Sequence, residues 1–131
     1  MKFALVLIGA AALAAAAPAP VFAAGKPAAA GRCFYMQDIR NHTVGDDHTL
    51  YLNVGGRTVY RVEMSNNCLG GAGPSDPIVL KERGSSSICQ AIDLDISARV
   101  NGGGLPSRCI VDKLVRLTPA EAAALPAKVK P

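Results

Sequence analysis

Apolar and polar residues alternate most cleanly between Ile88 and Val100. Ile88, Ile92, Leu94, Ile96, Ala98 and Val100 share one parity, and Asp93, Asp95, Ser97 and Arg99 share the other. Successive side chains of a strand point to opposite faces, so this pattern predicts one strand with a buried face and a wet face. Gln90 interrupts the apolar side, and Cys89 and Ala91 make the start of the outer face less polar, which suggests that this end is covered.

A second pattern surrounds Gly55-Gly56. A two-residue loop there would pair Leu52 with Val59 and Leu50 with Arg61, mixing apolar and charged residues on both faces. A three-residue loop, Val54-Gly55-Gly56, sorts them. Leu50 and Leu52 then share a face with Tyr60, Val62 and Met64, while Thr49, Asn53, Arg61 and Glu63 share the other. A single buried face specifies register, so a hairpin over Thr49 to Met64 with the three-residue loop is expected. Gly56 takes the left-handed position of its bulged turn. In this register Tyr60 points inward. Tyr51 points outward beside Arg61, as a candidate contact or as ordinary strand surface.

Shorter strands are expected at Arg32 to Arg40, Pro77 to Glu82 and Cys109 to Leu117. Turn clusters separate them at Gly70 to Pro77, Arg83 to Ser87 and Asn101 to Pro106. Thr118-Pro119-Ala120-Glu121 reads as a capping box with proline at the first helical position. It opens a short helix that Pro126 ends and that Leu125, with Leu117, pins to a sheet. The expected fold class is mainly β: a small antiparallel sandwich or barrel of about six strands with one short C-terminal helix, stapled by disulfides.

The N-terminal stretch follows a different pattern. Lys2 precedes an uncharged apolar run from Phe3 to Ala17, Pro18 and Pro20 follow, and Val21-Phe22-Ala23 fits a small-x-small cleavage site. The run is short of the roughly 20 residues that span a membrane. Residues 1–23 are therefore expected to be a removable signal peptide, 24–31 a flexible leader, 32–126 a single β-rich domain and 127–131 a fraying tail. No Arg-Arg pair precedes the run. Cys33 lies far beyond it, which argues against a lipid-modified cysteine and leaves a periplasmic or secreted protein with no transmembrane segment after signal removal. Loss of Lys2 leaves 13 basic against 10 acidic side chains, a net charge of +3. These charges are scattered rather than gathered into the basic stripe of a nucleic-acid surface, so no nucleic-acid partner is expected.

The four cysteines, Cys33, Cys68, Cys89 and Cys109, all follow the signal. An even number in an exported small domain points to disulfides, whereas metal or redox sites favour close pairs and the nearest neighbours here are 20 residues apart. Three connectivities are possible. The expected strand order favours Cys33–Cys109 with Cys68–Cys89, because Cys33 and Cys109 both open terminal strands after an arginine and Cys68 and Cys89 bracket one loop region.

Candidate chemistry is sparse. His42, Asp46, Asp47 and His48 fall within seven residues and contain ligand types suited to zinc or copper, but they match no fixed metal motif and read more simply as a polar turn. Asp93 and Asp95 could pair for acid–base work or calcium binding, and on a wet strand face they read more simply as solubilising charges. Gly84-Ser85-Ser86-Ser87 lacks the second glycine of a nucleophile elbow. Gly70-Gly71-Ala72-Gly73 lacks the Gly-Lys-Ser/Thr ending of a phosphate loop. No cofactor and no catalytic residue is indicated.

Taken in order, Cys33-Phe34, Ile39, Asp47, Thr49-Leu50-Tyr51-Leu52, Val59-Tyr60-Arg61-Val62, Cys68-Leu69, Ile88-Cys89, Arg108-Cys109 and Leu117-Thr118-Pro119-Ala120-Glu121 resemble a family of short secreted bacterial proteins catalogued only as a domain of unknown function. The resemblance covers essentially the whole mature domain, and the two histidines lie outside its pattern. It implies an exported, cysteine-bridged domain and no particular activity. The expectation is an exported non-enzymatic module that binds an envelope or extracellular protein partner or supports the envelope. The alternatives are a periplasmic metal-binding protein using His42, Asp46, Asp47 and His48, and a hydrolase with an unrecognised site. Mass measurement of the exported chain is expected to show an N-terminus at Ala24; retention of Met1 would overturn the signal assignment.

Overall fold

The computed structural model describes residues 33–84, 86–99 and 105–131. The predicted signal and leader lie outside these residues, as do Ser85, Val100 and residues 101–104 of the glycine-rich loop.

Inward-facing apolar residues recur at every second position, and the chain folds accordingly into antiparallel sheets. The strands are β1 (Phe34–Tyr35), β2 (Ile39–Asp46), β3 (Thr49–Val54), β4 (Thr58–Met64), β5 (Ile78–Glu82), β6 (Ser87–Ile88), β7 (Leu94–Ala98), β8 (Ser107–Cys109) and β9 (Val111–Arg116), followed by helix α1 (Pro119–Ala124). They form a four-stranded sheet ordered β2-β3-β4-β9, a three-stranded sheet ordered β5-β7-β8 and a two-stranded ribbon of β1 and β6. Leu50, Leu52 and Val62 from the larger sheet and Leu94, Ile96 and Ala98 from the smaller one join a single buried cluster with Phe34, Leu69 and Ile88. Each large aliphatic side chain buried this way contributes roughly 1.5–3 kcal/mol.

The hairpin keeps its three-residue loop, shifted by one position to Gly55-Gly56-Arg57, with Val54 opposite Thr58, Leu52 opposite Tyr60 and Leu50 opposite Val62. The shift moves both strands together and preserves parity, so the expected faces survive. Tyr60 is buried and Tyr51 faces outward opposite Arg61. Gly55 and Gly56 both have positive φ, 62° and 75°, so the left-handed backbone covers two positions of the turn rather than Gly56 alone.

More strands appear than the expected six because three expected strands are each split. The 32–40 segment breaks at a 3-10 turn over Met36–Asp38, and the 88–100 segment at a 3-10 turn over Ala91–Asp93. In each, an aspartate closes the turn: Asp38 Oδ2 accepts from the Tyr35 N–H at 3.2 Å, and Asp93 Oδ2 from the N–H groups of Cys89 and Gln90 at 2.8 and 3.0 Å. The third break is a corner at Ile110, where the chain leaves the three-stranded sheet as β8 and joins the four-stranded sheet as β9. The Asn66 side chain spans this corner, donating to the Arg108 carbonyl at 2.9 Å and accepting from the Ile110 N–H at 2.7 Å.

These breaks explain the disulfides, Cys33–Cys89 and Cys68–Cys109, which differ from the favoured Cys33–Cys109 and Cys68–Cys89. In the β1–β6 ribbon Phe34 pairs with Ile88, and the same antiparallel register places Cys33 across from Cys89. Read as parts of two longer strands, β1 and β6 do not reveal that ribbon. Asn66 holds the chain beside the β8–β9 corner, which brings Cys68 to Cys109.

Helix α1 begins as expected, with Thr118 Oγ1 accepting from the Glu121 N–H at 3.2 Å and Glu121 Oε2 accepting from the Thr118 N–H at 2.7 Å. The segment after it does not fray. Val129 is buried, the Lys130 carbonyl accepts from Thr43 Oγ1 at 3.3 Å and the Pro131 carbonyl accepts from Asn53 Nδ2 at 3.4 Å. Residues 127–131 thus cover the outer face of β2 and β3, and Thr43 on that face is buried.

Peptide mapping without reduction is expected to recover Cys33 joined to Cys89 and Cys68 joined to Cys109. Removal of either bridge by paired Cys→Ala substitution should cost about 4 kcal/mol in the chain-entropy model, read as a fall in denaturation midpoint. Deleting residues 127–131 should cost about 2 kcal/mol through loss of Val129 burial, and an unchanged melting temperature would contradict the docked tail. The backbone N–H and hydroxyl of Thr118 hold the Glu121 carboxyl below its ordinary value. A depressed carboxyl contributes stability that is present above its unfolded value and lost as pH falls through its folded value. Helix α1 should therefore lose its cap in that acid window, and amide shifts of residues 119–124 should follow the loss in the wild type but not in Glu121→Gln.

Candidate binding grooves

The histidine–aspartate stretch forms the end of β2 and its tight turn into β3. His42 lies on β2, half-buried, with Nε2 3.1 Å from the Asp76 carbonyl. Asp46 Oδ1 accepts from the His48 N–H at 2.8 Å, which makes the local turn that the residue types allow, and the Asp47 carbonyl accepts from the Leu69 N–H at 3.3 Å. Among the described residues no group of three or more His, Cys, Asp or Glu side chains is placed to hold a metal ion. The contacts of this stretch instead tie the 65–77 loop down: the Val44 N–H donates to the Pro74 carbonyl at 3.0 Å, beside the His42 contact.

Asp93 and Asp95 do not act as a pair. Asp93 closes its turn through backbone N–H groups. Asp95 sits between two guanidinium groups, 3.6 Å from Arg83 Nη2 and 3.4 Å from Arg108 Nη2. Tyr51 is half-buried, and its ring lies over Gly45 at a β2 bulge so closely that a Cβ there would come within 2.7 Å of the ring. It serves packing more than contact.

What the pattern missed is a pair of grooves, one beside each of the 3-10 turns at Met36–Asp38 and Ala91–Asp93. The break at Ala91–Asp93 turns Ile92 out of the core, to 67 % exposure, against its expected inward place. The corner at Ile110 does the same to that side chain, at 60 %. Ala91, Ile92, Ile110 and Leu114 line an open groove of about 1070 Å³ together with the charged Arg83, Arg108, Asp112 and Lys113. On the other turn Tyr35, half-exposed, and Met36 face Leu80, Lys81 and Glu82 across a groove of about 750 Å³. The two turns are alike in sequence. Tyr35-Met36-Gln37-Asp38-Ile39 and Gln90-Ala91-Ile92-Asp93-Leu94 each place aspartate three residues after the first, followed by an apolar residue, and each comes one or two residues after a bridged cysteine. That recurrence is the signal by which the turns could be read, since an Asp at this spacing competes for backbone N–H groups that a continuous strand would use.

No family model, no curated protein and no solved structure matches the chain. Among the described residues no helix is long and apolar enough to cross a membrane. With the two disulfides this is compatible with a periplasmic or extracellular location.

Asp93→Ala should remove the two bonds that its carboxylate accepts from the N–H groups of Cys89 and Gln90. It is expected to cost about 1–2 kcal/mol, as loss of a cap does, with amide exchange accelerated at Cys89 and Gln90 and unchanged in the hairpin.

Proposed function

We propose that the protein is an exported, disulfide-stapled module that binds a protein partner in the periplasm or outside the cell and performs no catalysis. The observation that carries this reading is the exposure of Ile92 and Ile110 on one groove. Single exposed apolar residues are ordinary. Two large exposed aliphatic side chains that line one open groove together with arginines have the composition of a protein-contact surface. The stapled sheets supply the rigid support that makes such a surface cheap to present, since little conformational freedom is lost on binding. The resemblance to short secreted bacterial proteins belongs to this proposal and adds no activity to it. No specific observation favours the metal-binding or hydrolase alternatives.

A photo-crosslinking residue placed at Ile92 or Ile110 in the exported chain is expected to yield the same discrete protein adduct, and one placed at Arg57 in the hairpin loop none. Ile92→Asp should weaken capture of that partner at least about tenfold, the effect of losing a buried apolar anchor, at an unchanged melting temperature. Absence of any adduct at both groove positions would sink the proposal.

A further inference from the structure

Every open sheet leaves two edges with unpaired backbone groups, and proteins blunt such edges with bulges, charges, short strands or covering loops. Most edges of this molecule are treated in that way. On β2 two register shifts interrupt the strand, at Ile39/Asn41 and Val44/Asp46, and the Pro74 carbonyl occupies the Val44 N–H. On β9 a register shift opposite Glu63/Met64 places Asp112 and Lys113 at the bulge, beside Glu63. The β8 edge is three residues long and its Arg108 carbonyl is taken by Asn66. The β1–β6 ribbon has two residues on each strand.

The β5 edge carries charges of its own, Lys81 and Glu82, but of these edges its register is the longest without a break. It runs five residues in unbroken register with β7, from Ile78 opposite Ala98 to Glu82 opposite Leu94, and among the described residues no strand pairs with its other side. The Arg83 N–H donates to the Asp93 carbonyl at 2.8 Å. In an antiparallel ladder that bond sets the alternation: Lys81 and Val79 bond to β7, while the N–H and C=O groups of Ile78, Leu80 and Glu82 point away from it. These groups open beside the groove walled by Tyr35 and Met36. Pro77, just before the strand, limits the available edge to Ile78–Glu82.

We infer that the β5 edge is a docking site for an extended segment of a partner protein, which adds to the three-stranded sheet as a further strand and sets an apolar side chain against Tyr35, Met36 and Leu80. The chemistry selects this occupant. A row of alternating donors and acceptors at strand spacing is matched by another extended main chain, and the side-chain wall beside it adds the selectivity. The partner residues on the inner side of the added strand meet an apolar wall, and those on the outer side meet Val79 and Lys81. The inference rests on the reading of the protein as a binding module and names the mode by which the groove beside Tyr35 and Met36 is used.

The test uses the disulfide-bonded mature chain and a random heptapeptide display library. Enriched peptides are expected to alternate apolar residues. Their binding should perturb the amides of Leu80 and Glu82, and it should weaken at least about tenfold when alternate peptide nitrogens are methylated on the bonding side. Glu82→Pro removes an outward N–H and no bond to β7, which an edge strand tolerates. It should abolish binding at a nearly unchanged melting temperature, and Tyr35→Ala should weaken it. No enrichment, or peptides indifferent to both N-methylation and Glu82→Pro, would overturn the inference. A concentration-dependent dimer lost in Glu82→Pro would replace the partner segment by a second copy and overturn it as stated. Adducts at Ile92 and Ile110 together with a silent β5 edge would leave the binding-module reading standing while this mode falls.

Discussion

The fold depends on one short corner. At Ile110 the chain passes from the three-stranded to the four-stranded sheet, and the two sheets share a core only because that passage is held in place. The Asn66 side chain supplies the backbone partners that the corner lacks, acting as a substitute peptide group between Arg108 and Ile110. The Cys68–Cys109 bridge closes the same corner covalently. A strand that changes sheets must turn by a bend or bulge, and in a domain this small the core alone is modest. The polar clamp and the staple therefore stand where a larger protein would use more buried surface.

The second bridge works on the same principle at the opposite seam. Cys33 and Cys89 close the β1–β6 ribbon, and each strand of the ribbon runs at once into a 3-10 turn locked by an aspartate. The turns redirect the chain toward different sheets, β2 in one and β7 in the other. They also leave side chains without a place in the core. Tyr35 and Ile92 are exposed because of the turns that make the sandwich possible, and the grooves beside them are consequences of the same geometry. Structure and candidate function thus meet at the two aspartate-closed turns.

The polar residues that attracted attention as possible chemistry are absorbed by architecture. His42 and the Asp46–His48 turn anchor a long loop against the β2 edge, Asp93 closes a turn and Asp95 bridges two arginines. Their types are those of ligands and acids, but the His42, Asp46, Asp93 and Asp95 side chains are committed to a backbone group or a counter-charge, and Asp47 and His48 contribute through their main chain. The two grooves beside the turns set exposed apolar side chains among charged ones, and one of them borders a strand edge with open hydrogen-bonding groups. That distribution is the basis of the proposal that the protein recognises another protein.

Several features were legible in the sequence because they are local. Period-two alternation set the faces of the hairpin and of Leu94–Ala98, a glycine pair marked the turn, and Thr118 to Glu121 spelled out a helix cap whose partners are three residues apart. Four cysteines beyond an apolar leader announced staples. The rest was decided by tertiary structure, because it concerns groups distant along the chain. Which cysteines pair depends on a two-stranded ribbon formed across 51 intervening positions, between Tyr35 and Ser87. Whether Ile92 is core or surface depends on an aspartate choosing backbone N–H groups over solvent. Whether residues 127–131 dock depends on Thr43 and Asn53 meeting their carbonyls on a sheet face built much earlier in the chain. Alternation states that a residue could face inward; only the packed sheets determine whether there is an interior for it to face.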